Sequence, residues 1–411
     1  MTATPASANG RYYRPELDVV RFLAFLLVFL HHALPWSSNP NLISFSRSAL
    51  ALTDVVRSIC SFGLSLFFTL SAFLICELLL RERETSGTVN IKQFYIRRIL
   101  RIWPLYYLGV GLGFLFAFLH RDPSETHALL SFLFFMGAWQ ISLHSIPSAA
   151  DGIANPAVPL WSISVEEQFY LFVPWVVKYL SRKGIAAVCI LIVLVSSCCL
   201  AYFGVTSAED RQIWFNTFVQ FECFAAGILM CIMLRGRLPR LALWQRALVF
   251  TFAFGCWFVA AYLLHVRFLR TNPGASFLIC GYLMVSFGCV LILMAFLGIA
   301  PILLPRWAIY LGRISFGLYV FHQFPLRGMR LLVSHMDPWL TLAFPSHMLR
   351  IFFTWAIDVV PALIFTFLIA ALSYRYFETP FLKMKKRHAI IESQPILGDE
   401  QASPSEIRAE V

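Results

Sequence analysis

The sequence predicts an all-α polytopic membrane protein, and three observations carry that reading. Hydrophobic residues make up 59% of the 411-residue chain and charged residues only 13%, against about a quarter charged in a soluble domain. Apolar runs of about 20 residues, each long enough to cross a hydrocarbon core of about 30 Å as a helix, recur from Leu17 to Tyr374. Basic residues gather at the ends of those runs, as the positive-inside rule orders a multi-pass chain. Helices follow because lipid offers no partner to an unpaired peptide group.

Eleven apolar segments can be drawn, at 17–36, 58–80, 99–119, 128–143, 159–179, 185–204, 213–234, 247–266, 275–297, 308–327 and 349–374. The first contains Asp18, Arg21, His31 and His32, unlike the uninterrupted core of a cleaved signal peptide, and is kept as a transmembrane helix. Arg11 and Arg14 precede it, and Lys383, Lys385, Lys386 and Arg387 follow the last segment, so both tails are expected on the cytoplasmic side. Two cytoplasmic ends require an even number of crossings. Segment 128–143 is the shortest and is followed by a Pro/Gly-rich stretch, 146–159, so it is expected to enter and leave on one side. That leaves about 10 transmembrane helices plus one re-entrant segment, and places the basic clusters at 81–101, 178–183 and 235–240 inside. The organisation is then a cytoplasmic tail (1–14), a transmembrane domain (15–382) and a polar, disordered cytoplasmic tail (383–411). Topology accounts for the net charge of +11, so no nucleic-acid partner is called for. Most of the ten cysteines lie inside apolar segments without ligand-like spacing, and neither a disulfide framework nor a metal site is expected.

Ionisable groups within a bilayer are costly and usually face a cavity, so they mark where function resides. Arg21 and His32 are eleven residues apart, which sets them within about 20° on one helical stripe and roughly 16 Å apart. Asp18 stands one turn before Arg21 and can pair with it; a snorkelling interfacial pair is the plainer reading of those two. His31 points about 100° away from His32, so one face holds only one of them. Arg97, Arg98 and Arg101 open a span in RRILRIWPLYY, where they serve as a positive-inside flank or as a fork for phosphate. Glu166 and Glu167 open another in WSISVEEQFY, and successive helical positions let at most one face an interior pore. His322 in GRISFGLYVFHQFPL is either a core histidine bonded to a carbonyl or a functional group.

The order, spacing and flanks of these pieces resemble the membrane acyltransferase family 3, the bacterial O-acetylases of lipopolysaccharide, exopolysaccharide and peptidoglycan. The matching stretches are RPELDVVRFLAFLLVFLHHA with its Arg-x10-His, FFTLSAFLI, RRILRIWPLYY with its Arg-x-x-Arg, LWSISVEEQFYL and LGRISFGLYVFH. The resemblance runs from residue 14 to about 382 and implies functional roles for Arg21, His32, Arg98, Arg101 and Glu166. It further implies a multi-pass protein of the bacterial inner membrane, in the family's stand-alone form, with membrane lipid around it and no permanently bound cofactor. Acyl-CoA, in practice acetyl-CoA, is the expected donor, and a glycan or lipid-linked saccharide hydroxyl the acceptor. His32 is expected as general base, since an unperturbed imidazole pKa of about 6.5 suits that role. Arg98 and Arg101, with Arg97 beside them, are expected to hold the donor, and Arg21 to line the inner half of its cavity. Glu166 is expected to orient His32 or bind acceptor hydroxyls, with Asp18, Glu167 and His322 as further candidates. A proton-coupled transporter would also place His, Arg and Glu in its membrane helices. It has no evident need for the Arg-x-x-Arg fork, and no inverted repeat is visible.

Overall fold

A computed structural model describes residues 12–34, 47–121, 123–144, 155–267, 273–343, 346–388 and 391. The remainder of both tails and residues 145–154 of the Pro/Gly-rich stretch lie outside the described residues. Every regular element among the described residues is helical. The chain runs through α1 (Pro15–Ala33), α2 (Arg47–Ser86), α3 (Ile91–Leu119), α4 (Pro123–Leu133), α5 (Gly137–Leu143), α6 (Trp161–Tyr179), α7 (Arg182–Val205) and α8 (Asp210–Trp214). It continues through α9 (Thr217–Leu234), α10 (Leu243–Phe258), α11 (Ala275–Phe296), α12 (Arg306–Arg313), α13 (Ser315–Phe321), α14 (Gln323–Ala343), α15 (His347–Ser373) and α16 (Thr379–Lys386).

Local chemistry sets many of these boundaries. Asn90, Ser181 and Asn216 accept from the first free backbone N–H groups of α3, α7 and α9, at 3.1, 3.2 and 3.0 Å, which is what an N-cap supplies. Pro15 opens α1, where its missing N–H costs nothing. Among the described residues, seven helical stretches are long and apolar enough to cross a membrane: Leu52–Ser86, Ile91–Leu119, Arg182–Val205, Thr217–Leu234, Leu243–Leu263, Ala275–Phe296 and Phe353–Lys386. Helices α1 and α6 have 19 residues each, about 28 Å of length, but carry Glu16, Asp18 and Arg21, and Glu166, Glu167 and Lys178. The stretch expected at 308–327 is interrupted at Ile314 and His322 and extends into α14. These three would complete the ten spans expected from the charge pattern. They also contribute polar groups to the site described below.

Segment 128–143 does not form one helix. It breaks at Phe134–Met136 into α4 and α5, about 17 and 10 Å long and so each short of the hydrocarbon core. The carbonyls that the break releases are met from neighbouring helices. Tyr106 donates to Phe132 O (2.7 Å), Tyr107 to Leu133 O (3.1 Å) and Gln168 to Phe135 O (2.8 Å). Phe135 adopts φ +56° and stacks its ring on Tyr106. Irregular backbone at membrane depth is tolerated where protein groups satisfy it in this way.

Helix α2 lies at the centre of the bundle, packed against α1, α6, α9 and α11. At the α1–α2 crossing Gly63 sits so close that an added Cβ would lie 2.7 Å from Ala24 O; only a residue without a side chain allows that approach. Phe68, Phe169 and Phe224 fill the junction of α2, α6 and α9, with Phe68 and Phe224 stacked at 4.7 Å. Leu191, Leu194, Phe252 and Leu368 are exposed on the outside of the bundle, as a lipid-facing surface requires.

Candidate active site

A cavity of about 150 Å³ opens among α1, α2, α3, α6, α13 and α16. Its polar lining comprises Arg21, Ser71, Arg98, Arg101, Ser162, Glu166, Tyr170, Ser315, Tyr319 and Lys385, with Tyr12, Tyr13 and Arg14 at the start of the chain described. Five basic side chains, Arg14, Arg21, Arg98, Arg101 and Lys385, face one carboxylate, Glu166. With apolar walls from Leu64, Phe67 and Leu74, such a lining focuses a positive field on whatever enters.

Arg21, Arg98 and Glu166 are each held in place. Arg21 pairs with Asp18 one turn earlier on α1, and Asp18 is fully buried. The second Asp18 oxygen accepts from Tyr13 OH at 2.9 Å, and that hydroxyl in turn accepts from Arg313 Nε and Nη2 at 3.1 and 2.9 Å. The Arg98 guanidinium lies over the rings of Phe94 and Tyr170, at 5.5 and 5.6 Å, and its Nε is buried without a hydrogen-bond partner among the described residues. Stacking of this kind orients the planar fork while leaving donors for an anion. Ser71 and Tyr170 share a hydrogen bond of 2.7 Å, and Tyr170 OH donates to Glu166 Oε2 at 3.0 Å. A chain of hydroxyls therefore ends on the carboxylate.

The adjacent pairs separate as helical geometry demands. Glu166 faces the cavity, whereas Glu167 accepts from Trp103 Nε1 at 3.1 Å outside it. Arg98 and Arg101 face the cavity, whereas Arg97 donates to Glu82 Oε2 (2.8 Å) and to His388 O (3.0 Å). His31 donates from Nδ1 to Arg57 O at 2.9 Å on the α2 side. His32 instead packs its ring against His322, with centroids 5.2 Å apart. His322 is fully buried and holds Tyr319 O with Nδ1 at 2.6 Å. A carbonyl only accepts, so Nδ1 carries the proton and Nε2 offers a lone pair, with no partner among the described residues.

The structure thus brings Arg21, Arg98, Arg101 and Glu166 to one cavity, and sets His32 and His322 together at the other end of α1. Buried Phe25 and Val28 occupy the stripe between Arg21 and His32. Glu166 lies with the arginines and bonds Tyr170 rather than either histidine. Ser162 and Tyr319, whose hydroxyls are 2.7 Å apart, connect the two groups, since Tyr319 also carries the carbonyl that His322 holds. Lys385, legible in the sequence only as part of a basic flank, is a cavity residue because α16 packs back on α3. Ser71 and Tyr319 carried no signal of their own, being hydroxyls in apolar helices.

A multi-pass helical membrane protein with a buried, prearranged arginine cluster beside one carboxylate is built to receive an anionic molecule. The chain belongs to the family described as an acyltransferase domain, which matches residues 14–375. It is similar to the peptidoglycan O-acetyltransferase OatA of Listeria monocytogenes, 26% identical over 400 residues that cover 91% of this chain and 56% of OatA. It is also similar to a protein of Staphylococcus aureus strain MSSA476 named as a candidate O-acetyltransferase, 21% identical over 385 residues, with 90% and 58% covered. Bacillus subtilis YrhL, named as a candidate peptidoglycan O-acetyltransferase, is 27% identical over 217 residues, covering 50% of this chain and 31% of YrhL. The chain spans little more than half the length of the first two relatives. No solved structure matches it.

Proposed function

We propose that this protein is an O-acetyltransferase that moves an acetyl group from acetyl-CoA to a hydroxyl of a cell-envelope glycan, peptidoglycan being the acceptor named for OatA. The observation that carries the reading is the cavity lining of five cations and one carboxylate, which suits the phosphates of a CoA thioester. Arg98 and Arg101 hold those phosphates, with Arg21 and Lys385 completing the charge. The protein sits in the bacterial inner membrane with both termini cytoplasmic, so the donor enters from the side where acetyl-CoA is made. Its flexible arm passes Ser162 and Tyr319 and brings the thioester towards His32.

There the acceptor oxygen attacks the acetyl carbon, the new C–O ester bond forms, and the C–S bond breaks. His32 takes the hydroxyl proton and returns it to the departing CoA thiolate, so protons balance without an added reactant. His322 stands beside His32 with a free lone pair on Nε2. Glu166, tied through Tyr170 to Ser71, sets the polarity of the donor cavity. Purified protein in detergent, incubated with labelled acetyl-CoA, is expected to bind it and release CoA, and membranes containing the protein to label glycan. Absence of both acetyl-CoA binding and CoA release would overturn the reading.

A further inference from the structure

At the end of α1 away from the arginine cavity, polar groups from α14 and α15 collect around His32. Arg330 donates through Nη2 to the His32 carbonyl oxygen and through Nε to Asp358 Oδ2 at 3.4 Å. Four buried side-chain atoms in this region have no hydrogen-bond partner among the described residues: His322 Nε2, Arg327 Nε, Trp355 Nε1 and Asp358 Oδ1. They are four of the eleven such atoms among the described residues: three stand on α14 and α15, which pack together, and His322 immediately precedes α14. Buried polar atoms are nearly always met in folded proteins, and a group of unmet ones calls for an explanation.

Their chemistry restricts what meets them. Trp355 and Asp358 are three residues apart on α15, so an N–H donor and a carboxylate acceptor stand one turn apart on the same face. Arg327 adds a donor, and His322 Nε2 adds an acceptor, because its other nitrogen is committed to Tyr319 O. An anion is opposed by Asp358 and a cation by Arg327 and Arg330. A neutral frame carrying several hydroxyls, each able to donate and accept, answers all four atoms.

We propose that His322, Arg327, Trp355 and Asp358 form a binding site for saccharide hydroxyls beside His32, the acceptor subsite of the transferase; this rests on the acetyltransferase reading above. Donor and acceptor then approach from opposite ends of α1, and Arg330, holding both His32 and Asp358, fixes the subsite to the reacting histidine.

Trp355→Phe removes the indole N–H while keeping an aromatic ring, and Asp358→Asn keeps a side-chain oxygen for Arg330. Each is tested in isolated membranes with labelled acetyl-CoA, reading label on the endogenous envelope glycan, and as purified protein for acetyl-CoA affinity. Each variant is expected to lower glycan labelling by about tenfold or more, as loss of a hydrogen bond in a site built for hydroxyls does. Acetyl-CoA affinity is expected to stay within about twofold of wild type. Normal glycan labelling in both variants overturns the proposal and leaves those atoms to water. Donor affinity falling in step with labelling also overturns it, by showing a general loss of fold. Failure of the wild type itself to bind acetyl-CoA refutes the transferase reading instead, and the subsite with it.

Discussion

Gly312 is where the structure makes its sharpest demand on sequence. It lies on α12 against the backbone of Asp18 on α1, and a Cβ there would fall 2.9 Å from Asp18 Cα, with the Asp18 carbonyl nearer still. Restoring an ordinary carbon contact of about 3.8 Å to Cα alone requires a shift of about 0.9 Å between the two helices, and clearing the nearer carbonyl requires more. The neighbours that must give are backbone atoms, not flexible side-chain ends. Overpacking of this kind costs about 1–3 kcal/mol. The displaced segment also carries Asp18 and Arg21, and a misplacement of about 1 Å in a catalytic site can cost about a hundredfold in rate. Gly312→Ala is therefore expected to lower the melting temperature in detergent and to reduce acetyl transfer more than it reduces protein yield. Gly111→Ala serves as the control, since a Cβ there meets nothing within 4 Å, and alanine is favoured over glycine within a helix by about 1 kcal/mol. Wild-type melting and turnover in Gly312→Ala would show that the α1–α12 contact does not position Arg21.

Arg98→Gln and Arg101→Gln are each expected to weaken acetyl-CoA binding by about 10–100-fold, as charge-assisted hydrogen bonds are worth about 1.5–3 kcal/mol. Lysine should rescue only in part because the planar fork is lost; unchanged affinity in the folded double variant removes the phosphate role. Arg97→Gln should instead lower thermal stability with donor affinity retained, since Arg97 pairs with the buried Glu82 outside the cavity. His32→Ala is expected to cut turnover by about 10²–10⁴-fold with donor binding kept, whereas His31→Ala, bonded towards α2, should retain most activity; loss in His31→Ala alone would move the base by one residue. Cysteines introduced near the two ends of the chain should label only from the cytoplasmic side, and a periplasmic C-terminus would refute the re-entrant reading of 128–143.

The cavity was legible in the sequence to the extent that charge in an apolar helix is conspicuous. Arg21, Arg98, Arg101 and Glu166 stood out, together with their neighbours Asp18, Arg97 and Glu167, because ionisable groups are rare in apolar helices. Helical geometry also foretold that Glu166 and Glu167, or Arg97 and Arg98, would part. Which member turns inward depends on the neighbouring helices, here Trp103 for Glu167 and Glu82 for Arg97. Serine and tyrosine hydroxyls are ordinary in membrane helices, so Ser71 and Tyr319 gave no warning. The break at Phe134–Met136 was invisible in detail for a related reason. No proline stands there, and the bonds that stabilise it come from Tyr106, Tyr107 and Gln168 on other helices. The interruptions at Ile314 and His322 follow the same logic, being set by what α12 to α14 must reach.

What they must reach is α1, at both ends. Arg313, closing α12, holds Tyr13 beside Asp18 at the start of α1, while Arg330, on α14, holds the His32 carbonyl at its finish. The two arginines are 17 residues apart and the α1 positions 14. As straight helices those intervals would span about 25 and 21 Å. The segment from Arg313 to Arg330 is interrupted at Ile314 and His322, and the His322 ring lies against His32 with centroids 5.2 Å apart. The same chain segment therefore fixes Arg21 through Asp18 and fixes His32 through its carbonyl. The separation between the arginine end and the histidine end of the site becomes a property of one clamped helix rather than of a loop. A change that loosens either clamp should consequently disturb both ends of the reaction, whereas a change in the lining of one end should not.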